Sequence, residues 1–203
     1  MSQKREYFKK AKAIFQRHGG VLRTSEAIRC GIHPRSLYGM RDAGIVEQLS
    51  RGLYRLADLP SLSNQDLVTV SLRVPNGIMC LISALAFHEL TTQIPHEVYI
   101  ALERGSEAPR LEHPPLRIYW FTGRAFTEGI RSYQVDGVSV RIYDPEKTIA
   151  DCFKYRNKLG LDVAIEALRL WRRRKYYSIE RLMNRARICR VERLIRPYLE
   201  ALV

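Results

Sequence analysis

Three short stretches carry side chains of the kinds that do chemistry. His88-Glu89 in "HELTT" opens like the zinc-protease pattern H-E-x-x-H, in which two histidines one turn apart hold the metal and the glutamate activates water. Position 92 is threonine, so the second ligand is missing, and His96-Glu97 leads into a strand without replacing it. Gly105-Ser106 has the small-residue pair of a nucleotidyltransferase, but Glu107 and Glu112 are separated by loop residues including Pro109. Phosphoryl transfer without paired carboxylates lacks its metal clamp. Asp144, Glu146 and Lys147 in "DPEK" have a nuclease-like composition. An acidic, proline-led stretch is also how a helix starts, with acids complementing the N-terminal dipole. The histidines therefore read as structural and "DPEK" as a helix start. No catalytic residue or metal site is expected from these motifs, and a nuclease-like enzyme stands as the lesser alternative.

Arginine and lysine offer a different chemistry, the capture of phosphates and base edges. The net charge is +13, and it is segregated. Residues 1–60 carry 12 Lys and Arg against 5 Asp and Glu, residues 61–150 carry 8 against 10, and residues 151–203 carry 14 against 6. Two basic ends around a near-neutral middle suggest a polyanionic partner, where evenly spread charge would suggest only solubility. Cys30, Cys80, Cys152 and Cys189 lie far apart with no C-x-x-C pair, the usage of a reducing compartment. No apolar run is long enough to span a bilayer, and "MSQKREYFKKAKAIF" lacks the apolar block of a secretory signal. A cytoplasmic protein is expected.

The elements that must position these cations follow from periodicity. "REYFKKAKAIFQRHGG" places Phe8, Ala11, Ile14 and Phe15 on one helical face and stops at Gly19-Gly20. "TSEAIRCG" reads as a short helix with Thr24 as N-cap, and "PRSLYGMRDAG" as a second helix with Pro34 in its first turn. "IVEQL" and "LYRL" are strands joined across "SRG". "ADLPSLSNQD" has no periodicity and reads as a linker, which gives an N-terminal domain over 1–58 and a second domain over 59–203. In the second part, "GIMCLISALAFHEL" reads as a buried helix. "EVYIAL", "LRIYWFTG" and "VSVRIY" read as strands, the last after a "VDG" turn. From Asp144 onward the pattern is helical, with Val191, Leu194, Ile195, Tyr198 and Leu202 recurring at helical spacing in the final segment. The fold class expected is α+β: a winged helix-turn-helix, then a mostly antiparallel sheet with a helical C-terminal part.

A helix-turn-helix needs an apolar inner face on its second helix and donors on the outer face. Leu37 and Met40 suit the inner face, against Ile14, Leu22 and Ile28. Arg35 is the candidate for base contact, because its fork matches the O6/N7 edge of guanine. Ser36 can serve a base edge or a phosphate, and Tyr38 either packs under the wing or touches the backbone. Gly39 asks for a reason inside a helix, and close approach to a partner helix or to a phosphate would supply one. Arg51 at the ribbon tip and Arg55 along the second strand are placed for a groove or backbone, with Arg23, Arg41, Lys9 and Lys10 as further phosphate contacts. A second basic region comprises Arg172, Arg173, Arg174, Lys175, Arg181 and Arg185, with Arg187 beyond. It reads as another phosphate-contacting surface, a surface for a protein or RNA, or a solvated face.

The run "HGGVLRTSEAIRCGIHPRSLYGMRDAGIVEQLSRGLYRL", with "LYGM-R-AG" followed by "RGLYRL", resembles the N-terminal winged helix of the AbiEi-like antitoxins. "YDPEKTIADCFKYRNKLGLDVAIEALR" is similar to that family's C-terminal domain. The resemblance implies the antitoxin of a bacterial type IV toxin–antitoxin system: a repressor binding inverted repeats of double-stranded operator DNA and counteracting a nucleotidyltransferase toxin without a necessarily stable complex. It implies no cofactor, no membrane and no catalysis. His33-Pro34 departs from the small polar N-cap that is usual before the recognition helix. A winged-helix regulator outside any toxin–antitoxin pair is the alternative.

Overall fold

A computed structural model describes residues 2–201 of the chain. The chain divides into two compact units, Met1–Gln65 and Asp66–Val203.

The first unit runs α1 (Ser2–Arg17), β1 (Val21–Arg23), α2 (Thr24–Arg29), α3 (Pro34–Asp42), β2 (Val46–Ser50) and β3 (Leu53–Leu56). The three strands form an antiparallel sheet in the order β1-β3-β2. Helix, strand, two helices and a ribbon in this sequence make a winged helix-turn-helix. α1 buries Ala11 and Phe15, one turn apart, and ends where Gly19 and Gly20 take φ of +73° and +81°. These side chains pack with Leu22, Ala27, Ile32, Leu37 and Met40, so the α3 face expected to point inward does so.

Three local expectations need correction. β1 was not anticipated, because three residues are too few to show alternation; pairing Val21 with Arg55 and Arg23 with Leu53 makes it a strand. Thr24 is the first helical residue rather than the cap. The residue before it, Arg23, takes the cap position, and its backbone N–H donates to the Glu26 carboxylate at 2.9 Å. Ile28 does not reach the core. It is 48% exposed, and Ala27 occupies the inward position of this six-residue helix.

The second unit runs α4 (Gln65–Arg73), β4 (Ile78–Met79), α5 (Leu81–Phe87), β5 (Val98–Glu103), β6 (Leu116–Phe121), α6 (Arg124–Thr127), β7 (Ile130–Val135), β8 (Val138–Tyr143), α7 (Pro145–Lys154), α8 (Arg156–Leu159), α9 (Leu161–Arg172), α10 (Ile179–Cys189) and α11 (Glu192–Glu200). The α+β class stands, with strand order β6-β5-β4-β8-β7. The sheet is mixed: β5–β6 and β4–β8 are parallel, while β4–β5 and β7–β8 are antiparallel. Only β7–β8 is a tight hairpin, turning at Asp136 and Gly137 with φ of +50° and +78°. The irregular connection 104–115 carries the chain back for the parallel return from β5 to β6, and β4 pairs in parallel with β8 only after the intervening helices and strands. The apolar stretch read as one buried helix is split, because Ile78 and Met79 pair with Ala101 and Ile100 before the chain turns into α5. The C-terminal helical run is split too, at Arg190, which takes the left-handed conformation (φ +61°). Leu202 lies outside the described residues.

α7 is buried along most of its length, and its start is fixed as the sequence suggested: Asp144 accepts from the Lys147 N–H at 2.7 Å, with Pro145 next. Gly129 is required above it, since a Cβ there would sit 2.7 Å from that of Lys147. Inside this helix Lys147 and Asp151 form a fully buried ion pair of 2.5 Å. The ammonium also lies over the Tyr143 and Phe121 rings at 4.2 and 4.7 Å, and Cys189 Sγ donates to Asp151 at 3.2 Å. Burial pushes the thiols of Cys80 and Cys152 far up, and that of Cys189 to about 12.

Candidate nucleic-acid interface

The outward stripe of α3 is set by its inward one. With Leu37 and Met40 buried, Arg35, Tyr38, Arg41 and Asp42 fall on the exposed side at intervals of three and four. His33 supplies the N-cap: its Nδ1 accepts from the Arg35 N–H at 3.2 Å, which requires the tautomer protonated on Nε2. The unusual residue at this position therefore does the capping itself, and Tyr7 Oη accepts from the His33 N–H at 3.0 Å. Arg35 leaves the first turn of the helix exposed and without an ion-pair partner among the described residues. A first-turn guanidinium is well placed for a base edge.

The other expected contacts divide. Tyr38 is 46% exposed and carries the Arg41 guanidinium at 5.5 Å from its ring centre, so it is a surface residue and not a packing one. Arg41 is also held by Asp42, whose Oδ1 accepts from Nε at 3.0 Å and Nη2 at 2.9 Å. That bond and charge hold the Arg41 pKa above its ordinary value, and part of its charge is neutralised locally. Arg51 is exposed at the tip between β2 and β3, beside Gly52 with φ +73°. Ser36 and Arg23 are half-buried, Lys9 and Lys10 exposed, and Lys10 is paired with Glu6 at 3.3 Å.

Two candidates belong to the scaffold instead. Gly39 faces α1: a Cβ would meet the Phe8 ring at 3.2 Å, so the close approach it permits is to the partner helix and not to a phosphate. Arg55 is only 5% exposed. It donates to Glu47 Oε1 at 2.8 Å, directly across the ladder, and to the Pro60 carbonyl. Alternation from Tyr54 correctly sends it to the face away from the core. β1 makes β3 a central strand, however, and the segment reaching Pro60 covers that face. Nothing in a two-strand reading could have revealed this.

The second basic region likewise loses members to structure. Arg185 donates to Glu128 at 2.7 Å and to the cap Asp144 at 2.9 Å, and it is mostly buried. Arg174 donates to the His88 carbonyl, and Arg181 pairs with Glu146 at 3.3 Å. Arg187 pairs with Glu192 at 3.1 Å. Arg172 stacks on Tyr177 at 4.7 Å, leaving Arg173 and Lys175 as exposed cations. His88 is buried with Nε2 on the Tyr143 carbonyl at 2.7 Å, the structural role its sequence context favoured. Asp144 caps a helix, as described above.

Comparison with known proteins agrees with the first unit's architecture. Residues 9–57 match a family model described as "Transcriptional regulator, AbiEi antitoxin". A search of curated proteins finds no match. Among solved structures, the "Crystal structure of RV2827C protein from Mycobacterium tuberculosis" superposes with a TM-score of 0.56 over 94% of this chain and 79% of that chain, at 13% identity. At that identity the likeness is one of fold. Among the described residues no helix is long and apolar enough to cross a membrane. Over residues 9–57, which span most of the winged helix of its first unit, the chain is similar to the AbiEi antitoxin family of transcriptional regulators.

Proposed function

We propose that the chain is a DNA-binding transcriptional repressor serving as the antitoxin of a type IV toxin–antitoxin system. It binds inverted repeats in its own promoter and counteracts a nucleotidyltransferase toxin. The observation that carries this reading is the first-turn position of Arg35, exposed and without a carboxylate, on the outward face of the second helix in a domain matching a regulator family. Arg35 and Ser36 read the operator, while Arg23, Arg51 and Lys9, with Arg41 in part, hold phosphates.

Three to four phosphate contacts per chain predict a log–log salt slope of about −3 to −4 for promoter binding. Arg35→Ala is expected to cost about 1–3 kcal/mol and to relax sequence choice. Arg51→Ala weakens all duplexes alike and reduces the slope by about one. Anisotropy titrations on promoter and scrambled duplexes measure both; unchanged operator preference in Arg35→Ala refutes the recognition-helix assignment. The antitoxin role is assigned to the second domain, so an Arg35→Ala/Arg51→Ala chain still rescues growth from the toxin. The family match reaches only residue 57, and this favours a second reading, a regulator with no toxin partner, in which no rescue occurs.

A further inference from the structure

The second unit holds a concavity of about 590 Å³ that the regulator reading does not use. Four cations line it and no carboxylate does: Arg124 from α6, Lys154 at the end of α7, Arg156 at the start of α8, and Arg190 between α10 and α11. Arg124 is paired with Glu128 at 3.2 Å. Lys154, Arg156 and Arg190 have no ion-pair partner among the described residues. The contrast is local, since Arg181, Arg185, Arg187 and Arg196 on the same two helices each hold a carboxylate.

Arg190 adds an independent observation. It occupies the left-handed position that closes α10, with φ +61° and ψ +38°, where glycine is the usual residue. The Val191 N–H reaches the Ala186 carbonyl at 2.8 Å, so the turn is a regular helix end that glycine would satisfy without strain. An arginine in that position puts its side chain in the lining of the cleft. Helix C-terminal carbonyls account for a cation at the end of α7 or of α10 taken singly. They do not account for cations from two further segments, α6 and α8, converging on the same cavity.

We propose that this cleft binds a compact polyphosphate anion, of the kind carried by nucleoside di- and triphosphates, through Lys154, Arg156 and Arg190. Guanidinium forks match phosphate oxygens in bidentate geometry, and three unneutralised cations suit several charges in a row better than one carboxylate. The volume is that of a small-molecule site. Ile188 and Val191 provide an apolar wall.

The test is isothermal titration of the full chain with ATP, GTP, inorganic tripolyphosphate and inorganic phosphate. Saturable sub-millimolar binding is expected for the polyphosphates. Equal affinity for tripolyphosphate and ATP shows that the phosphates alone are recognised, and tighter ATP shows that the nucleoside is read too. Arg156→Gln/Arg190→Gln should weaken binding about tenfold or more. Arg190→Gly separates binding from folding: glycine suits the turn, so the melting temperature holds or rises while affinity falls. Arg35→Ala and Arg51→Ala leave this binding unchanged, so its failure and failure of the wing assignment are distinguishable. No binding of any polyphosphate below millimolar, or unaltered affinity in Arg190→Gly and the double variant, overturns the proposal.

Discussion

Replacing Arg55 by alanine tests whether burial or charge decides the role of a wing arginine. The guanidinium makes one bond to Glu47, whose side chain is 48% exposed, and one to the Pro60 carbonyl. The exposed pair contributes about 0.5–1 kcal/mol, and the charged bond to a carbonyl about 1.5–3 kcal/mol. Burial of the aliphatic stem adds about 2 kcal/mol at roughly 0.8 kcal/mol per methylene. Arg55→Ala should therefore destabilise the first unit by about 4–6 kcal/mol, and Arg55→Met, which keeps the stem, by about half of that. Both tryptophans, Trp120 and Trp171, lie in the second unit, so their fluorescence is blind to this change. Amide exchange of Leu53–Leu56 and urea unfolding followed by backbone dichroism report it. Rapid exchange of β3 in Arg55→Ala, with exchange in Arg51→Ala unchanged, is the expected pattern. If Arg55→Ala keeps native protection and instead lowers duplex affinity with a salt slope shallower by about one, then Arg55 is a phosphate contact and the burial argument is wrong.

Other expectations follow from the same geometry. Asp151→Asn strands the buried Lys147 ammonium and should cost about 3–5 kcal/mol, whereas Lys147→Met/Asp151→Leu is better tolerated; urea unfolding monitored by Trp171 compares them. Burial, chiefly, holds His88 below its ordinary 6.5, so the unfolded chain binds the extra proton first. Stability is fully present above pH 6.5 and falls as pH drops from there through the lower folded value. Glu128 and Glu166, both held below their ordinary 4.5 by hydrogen bonds, add further loss only below that pH. A His88→Gln chain should show a flatter decline between pH 7 and 5.5, measured by urea midpoints. Gly39→Ala gains helix propensity and pushes on the half-buried Phe8 ring, leaving stability within about 1 kcal/mol and operator affinity unchanged. A loss of affinity without loss of stability would return Gly39 to the DNA face.

Sequence patterns disclosed what depends on nearest neighbours along the chain. The inward pair Leu37 and Met40, the glycine stops after α1 and α3, the Asp144-Pro145 helix start and the Asp136-Gly137 hairpin all rest on local spacing and backbone preference. What stayed hidden depends on partners distant in sequence. Arg55 and Arg185 read as free cations because Pro60, Glu128 and Asp144 give no sign in the sequence of meeting them. His33 concealed its capping role because a ring nitrogen acts as acceptor in only one tautomer. The mixed direction of the second sheet escaped because a two-residue strand, Ile78–Met79, sits at its centre inside an apolar run. The cation-lined cleft was invisible because its four cations are drawn from positions 124 to 190.

The thiol distribution gives the molecule a built-in reference and a built-in clock. Cys30, half-exposed, is the sole thiol of the first unit, and the buried Cys80, Cys152 and Cys189 all belong to the second. Alkylation of the unmodified chain, read by intact mass and peptide mapping, thus labels Cys30 in the native state and the other three only when the second unit opens. The lag before the three buried sites react measures how seldom the α7 region opens.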